Sequence, residues 1–332
     1  MCAKVVLFIL SVTYAPWLAA AENPSGRVAF IRGREVFMAD LRGGSLTQLT
    51  QDGLDKRDLR WSPDGRRLAF ALKAGRGEAL GRLAVMEVES RKTHSFLYRP
   101  ASASVVGMNF IGELFWLDVR RIAITGGINP NNCEYVVLDA GTGEELTGAV
   151  GLCGSFSVSP DGQHVAYTCA PGVGAPETDW RQCVEFDREV RAYTPPSPRG
   201  RLLTDPVWSG DSSRIAVLEH DLQTTAKTVV IVSLDRQITR IPLPATFQVP
   251  MELRWVENRL TLRAEGTTFL VDSAAKALRS PGLDVEEAMQ RQDRAKEEQR
   301  AARRRAIGLA LKLGATREED IGVYLPETDP GQ

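Results

Sequence analysis

A twelve-residue unit recurs along the chain and limits what it can fold into. The clearest copy is Leu59-Arg60-Trp61-Ser62-Pro63-Asp64-Gly65-Arg66-Arg67-Leu68-Ala69-Phe70. It returns as Phe156-Ser157-Val158-Ser159-Pro160-Asp161-Gly162-Gln163-His164-Val165-Ala166-Tyr167, and again as Val207-Trp208-Ser209-Gly210-Asp211-Ser212-Ser213-Arg214-Ile215-Ala216-Val217. Two copies with shorter turns are Phe115 to Ile124 and Leu253 to Leu262. Each reads as a β-hairpin. A strand ends on Trp or Val, proline fixes φ at the second turn position, and glycine supplies the positive φ that closes the turn. The return strand, Leu-Ala-Phe or Ile-Ala-Val, is a compact apolar run suited to burial between packed sheets.

The positions Trp61, Trp116, Val158, Trp208 and Trp255 are spaced by 55, 42, 50 and 47 residues. This is close to the period of a four-stranded propeller blade, about 40–50 residues. Further strand-like runs lie between the copies, among them Leu83–Val88, Tyr135–Leu138 and Thr228–Val232. Upstream, Arg27–Ile31, Glu35–Asp40 and Leu46–Thr50 look like blade strands two, three and four without a first. A propeller can take the missing strand from its far terminus, which removes a free sheet edge. The candidate is 320–325. The predicted fold is therefore an all-β propeller of about six four-stranded blades over 22–281, followed by a helical tail over 282–332.

From about Asp284 to Leu313 the composition changes to Ala, Glu, Gln, Arg and Lys, which are strong helix formers. Acidic residues come first (Asp284, Glu286, Glu287) and basic ones last (Arg303, Arg304, Arg305, Lys312), as a helix macrodipole favours. Gly314 is the stop signal. The apolar stretch Ala306–Leu313 is expected to dock on the propeller, with the polar first half in solvent. The alternative makes the tail a partner-binding, oligomerising or membrane-surface helix.

Residues 1–21 carry one charge, Lys4, then an apolar run and small residues ending at Ala21, the pattern of a cleaved signal peptide. The run is shorter than a membrane span of about 20 apolar residues needs, so no span is expected after cleavage. The destination read from this is periplasmic or secreted. After removal of Cys2 four cysteines remain, Cys133, Cys153, Cys169 and Cys183, which allow three connectivities. Cys169 and Cys183 end and begin two strand-like runs and could bridge a long hairpin loop, leaving Cys133 and Cys153. The alternative is four reduced thiols. No Cys-x-x-Cys pair exists to suggest zinc or redox chemistry.

The unit Trp-Ser-Pro-Asp-Gly-Arg-Arg-Leu-Ala-Phe resembles the WD-like repeat of the TolB family, also found in the propellers of prolyl oligopeptidase relatives. The likeness covers roughly 27–280. It implies an exported propeller, and in TolB the propeller docks a peptidoglycan-associated lipoprotein. TolB carries a separate α/β domain before its propeller. Here about six residues separate Ala21 from the first strand, so no such domain is expected.

Charge and motifs argue against several activities. Without Lys4 the 41 basic residues fall to 40 against 42 acidic, which gives no general pull towards nucleic acid or anionic membrane. No Gly-x-Ser-x-Gly nucleophile turn occurs, and the segment after Gly282 is too short for the hydrolase domain of the peptidase relatives. His94, His164 and His220 lack partner spacing, and His164 stands where other copies carry Arg. Pro63, Asp64, Gly65, Pro160, Asp161, Gly162 and Asp211 are read as structural turn residues, not metal or carboxylate sites. No catalytic, cofactor or metal residue is assigned, and no cofactor is expected. The leading expectation is a non-enzymatic module binding a protein partner. The alternative is a hydrolase or lyase site assembled at the central channel.

Overall fold

Each Ser-Pro-Asp-Gly unit closes through its serine and aspartate. The Gly65 N–H donates to the Ser62 carbonyl at 2.9 Å. The Ser62 hydroxyl donates to Asp64 Oδ1 at 2.6 Å and accepts the Arg67 N–H at 2.9 Å. Ser159 with Asp161, and Ser209 with Asp211, repeat the pattern. The third copy keeps it with Gly210 in place of proline and Ser212 at φ +59 in place of glycine. Ser62, Ser159 and Ser209 are all buried. The serine and aspartate, more than the proline, hold the turn.

The computed structural model describes residues 26–42, 45–73, 82–97, 113–127, 132–152, 156–169, 181–186, 189–192, 201–203, 206–221, 223–247 and 251–326. They form six blades. Blade 1 contains β1 (Arg27–Arg32), β2 (Glu35–Asp40) and β3 (Leu46–Gln48), and blade 2 contains β4 (Lys56–Trp61), β5 (Arg67–Leu72), β6 (Arg82–Glu87) and β7 (Lys92–Leu97). Blade 3 is β8 (Glu113–Trp116), β9 (Arg121–Gly127), β10 (Asn132–Asp139) and β11 (Glu145–Leu152). Blade 4 is β12 (Ser157–Val158), β13 (Val165–Cys169), β14 (Arg181–Phe186) and β15 (Glu189–Ala192). A bridge between Gly151 and Cys169 joins these two blades at one point. In blade 5 the innermost strand is interrupted: β16 (Arg201–Leu203) and β17 (Val207–Trp208) both pair with β18 (Arg214–Asp221), followed by β19 (Lys227–Ser233) and β20 (Ile238–Pro242). Blade 6 is β21 (Met251–Val256), β22 (Arg259–Ala264), β23 (Thr267–Asp272) and β24 (Ala277–Arg279). The helix α1 (Leu283–Lys312) follows, then β25 (Gly322–Tyr324), which pairs antiparallel with β1 and completes blade 1.

A polar lattice ties blade to blade. Trp116 Nε1 donates to the Arg60 carbonyl at 3.0 Å, Trp208 to Ser157 at 2.9 Å, Trp255 to Val207 at 3.0 Å and Trp61 to Gly322 at 3.2 Å. In every case the acceptor is the same register position on the preceding blade. The blade 4 copy carries Val158 and the closing strand Val323, so these two have no such donor. The residue opening strand two covers the next blade's tryptophan: Arg67 lies 5.1 Å from the Trp116 ring, Arg214 4.7 Å from Trp255, and the His164 ring 6.0 Å from Trp208. His164 therefore fills the arginine's structural place.

Gly65 (φ +66) lies under the closing strand, and a Cβ there would meet the Tyr324 ring at 2.5 Å. Gly33 (φ +57) faces open space. Gly33→Ala is expected to cost only the left-handed backbone penalty, about 1 kcal/mol. Gly65→Ala adds an overpacking loss of about 1–3 kcal/mol. Denaturant unfolding of the two variants checks this, and equal losses would mean that Tyr324 does not cover the turn.

Candidate functional site

Among the described residues, a cluster of ionisable groups lies where β4 meets the segment that leads into β25. A bulge in β4 sets Asp58 at φ +57, so its N–H turns to Asp320 Oδ1 at 3.1 Å. Asp320 is buried and binds Arg317 through Nε at 2.7 Å and Nη2 at 2.6 Å. The Asp58 carboxylate lies 3.6 Å from Arg60 and 3.9 Å from Arg57. Burial pushes the Asp58 carboxyl above the usual range, against the pull of Arg60 and Arg57, and the charge of Asp320 adds to the rise. With Glu319 3.5 Å from Arg317, three guanidinium groups face three carboxylates. The cluster is neutralised from within, and its contacts lock the closing segment to blade 2. Sequence reasoning missed it, because neither the bulge nor the approach of Asp320 across 262 residues leaves a local pattern.

The other charged candidates also have structural work. The Lys56 side chain is fully buried, and its ammonium donates to the Arg34 carbonyl at 3.1 Å, the Leu54 carbonyl at 3.0 Å and the Asp52 carboxylate. Asp64, Asp161 and Asp211 accept hydrogen bonds inside their own turns. His94 is exposed on β7, His164 is buried on β13's approach, and His220 is half-buried on β18; they belong to blades 2, 4 and 5. Among the described residues no group of three or more His, Cys, Asp or Glu is placed to hold a metal ion.

Cys169 on β13 and Cys183 on β14 form a disulfide. Cys133 on β10 is also disulfide-bonded, while Cys153 lies outside the described residues. Residues 1–25, on which the signal-peptide reading rests, lie outside them too.

The Asp211 carboxyl is held well below the usual carboxylate range. The Ser209 hydroxyl, then the Ser213 hydroxyl and N–H and the charge of Arg214, hold it down to about 2. Its carboxylate therefore favours the fold above an unfolded value near 3.9. That contribution is lost as pH falls from about 4 towards 2. Asp211→Asn is expected to flatten the fall of the unfolding midpoint over this window, only in part because the group is mostly exposed to solvent. An unchanged acid slope would contradict the role given to the turn.

The sixth interface of the ring differs from the other five. Five apolar clusters lie between successive blades, from Ala29, Ile31 and Val36 against Leu59, Trp61 and Phe70 round to Leu218 and Ile231 against Leu253 and Leu262. On its other face blade 1 offers Val28, Phe30, Phe37 and Ala39, and α1 covers them with Ala306, Ile307 and Ala310, joined by the C-cap residue Leu313. Arg32 donates to the Leu313 carbonyl at 3.1 Å and stacks on Phe37 at 4.0 Å, while Thr316 donates to the Ile31 carbonyl. Leu253, Leu260 and Leu262 of blade 6 are buried against blade 5, whereas the alternate positions Glu252, Arg254, Thr261 and Arg263 are polar. Arg254 holds Gln292 at 2.9 Å and Asp293, and Glu257 holds Arg291 at 2.8 Å.

So the helix docks at both ends. Its second half lies on blade 1, as the apolar stretch suggested. Its first half is not wholly in solvent, since Val285 and Ala288 are buried. Residues 293–300 between them are all exposed. A polar helix free over two turns acts as a solvent-bridging strut. Between the strut's first turns and blade 6 runs a groove of about 460 Å³, lined among others by Thr267, Thr268, Ser280, Glu286, Met289 and Gln290.

No family model and no curated protein matches the chain. Solved structures do. Dipeptidyl peptidase 4 from Porphyromonas gingivalis is 14% identical, with a TM-score of 0.51 over 79% of this chain and 45% of that one. TolB from Acinetobacter baumannii is 16% identical, with a TM-score of 0.34 over 74% of this chain and 62% of that one. The β-propeller domain of the trilobed protease from Pyrococcus furiosus is 14% identical, with a TM-score of 0.42 over 75% and 77%. The chain thus spans less than half of the peptidase it matches. At such identities the likeness concerns the fold alone.

Proposed function

We propose that this chain is an exported, non-enzymatic β-propeller that presents a docking surface to a protein partner and needs no cofactor. One observation carries the reading. The cluster of Asp58, Asp320 and Arg317 with Arg57 and Arg60 is spent on closing the ring, whereas the seam between blades 6 and 1 is bridged by an exposed helix and leaves a groove open. Among the described residues no helix is long and apolar enough to cross a membrane. Export is supported by the Cys169–Cys183 disulfide, because such bonds persist in oxidising compartments. Protein recovered from the cell envelope under thiol-blocking conditions should hold these two cysteines oxidised, and free thiols at both would contradict export.

The partner reading is tested with photo-crosslinking side chains placed in the full chain at Gln290, at Gln299 on the strut, and at Val119 on the blade 3 turn. Discrete protein adducts from the two helix positions, absent from Val119, support it. Equal labelling at all three, or none at any, would sink it. A second reading, an enzyme at the channel, draws on the raised Asp58 carboxyl in its strained bulge. Asp58→Asn separates the two: loss of a turnover with stability retained favours the enzyme.

A further inference from the structure

We propose that the groove between β23 and α1 receives an extended, basic segment of the partner protein, which adds to blade 6 as a strand. This rests on the partner-binding reading and names the chemistry of the partner.

The argument starts from the hairpin between β22 and β23. Its two loop residues, Glu265 (φ +52) and Gly266 (φ +77), are both left-handed, the signature of a two-residue type I′ turn. The flanking pair Ala264 and Thr267 is then hydrogen-bonded, and the next pair, Arg263 and Thr268, is not. Thr268 therefore turns its N–H and C=O away from β22, towards the position of β24. But β24 pairs only with Leu270, Val271 and Asp272 and stops at Arg279. In register, Thr268 would face Pro281, which has no N–H to give. The edge of β23 is open where the groove begins.

The opposite wall is one face of α1. Glu286, Met289 and Gln290 line it, one turn apart. Glu286 is exposed and in no ion pair among the described residues, whereas nearby Asp293 is engaged by Arg254. Met289 gives an adaptable apolar floor. An incoming strand would exchange backbone hydrogen bonds with Thr268 and set a Lys or Arg against Glu286, the usual division between main-chain affinity and side-chain selection in strand addition.

The test uses the purified mature chain with its disulfides intact. The probes are a fluorescein-labelled Lys-Val-Lys-Val-Lys-Val peptide, the same peptide with Glu for Lys, and a lysine peptide N-methylated on alternate residues. Fluorescence anisotropy is expected to show saturable binding of the lysine peptide alone. N-methylation, which leaves the protein untouched, should weaken binding at least tenfold, and Glu286→Lys should do the same. No saturable binding, or binding indifferent to both changes, would overturn the proposal. Adducts from Gln290 and Gln299 without peptide binding would leave the partner reading standing and remove strand addition alone.

Discussion

Removal of residues 317–332 is expected to abolish cooperative folding of the propeller, although every repeat remains. The deleted segment buries Ile321 and Tyr324, worth about 2 kcal/mol each. It also supplies the carbonyl for Trp61, worth about 1 kcal/mol. Without β25 the inner edge of β1 is bare, and Leu59, Trp61 and Gly65 lose their cover. The total, on the order of 5 kcal/mol, matches the low end of a typical domain's entire stability. Circular dichroism and denaturant unfolding of the truncated chain check it. A sharp transition with an unchanged midpoint would show that the ring does not depend on its far terminus. A cut at Gly282, where the repeat region ends, would remove α1 as well and uncover Val28, Phe30 and Phe37.

The second large effect lies at a blade junction. Trp208→Ala is expected to cost about 3–5 kcal/mol, because the ring fills the space between blades 4 and 5 beside Ala166, Ile215 and Val217. Trp208→Phe keeps most of that packing and loses the bond to the Ser157 carbonyl. Its cost should be about 1–3 kcal/mol, set by leaving that acceptor unpaired. If the two variants were equally damaging, the N–H rather than the ring would dominate the interface. If Phe cost nothing, the repeated hydrogen bond would be incidental.

The blades were legible because their turns demand particular residues. Asp before Gly, with Ser two places ahead, has a local cause, and the apolar return strand marks the buried hairpin. The lattice was not legible. Each tryptophan donates to a backbone carbonyl on another blade, and a carbonyl leaves no trace in the side-chain sequence. Its rule shows only in the exceptions, Val158 and Val323. The helix was legible as a helix, but not its place in the ring. Two signals were present. Arg254, Thr261 and Arg263 alternate with Leu253, Leu260 and Leu262, so one face of the last blade had no apolar neighbour to expect. The largely polar first half of α1 could likewise not fill an apolar gap. The groove depends on Pro281 ending β24 opposite Thr268, a coincidence of register that spacing alone does not reveal.

The account turns on the seam, where a helix docked at both ends and a borrowed strand replace contact between blades 6 and 1. Amide hydrogen exchange across residues 283–326 of the full chain tests this most directly. The account predicts protection approaching that of global unfolding at 306–313 and 322–324, with fast local opening confined to about 293–300. Exchange at unfolded-chain rates in 322–324, or uniform rapid exchange from 283 to 326, would contradict it.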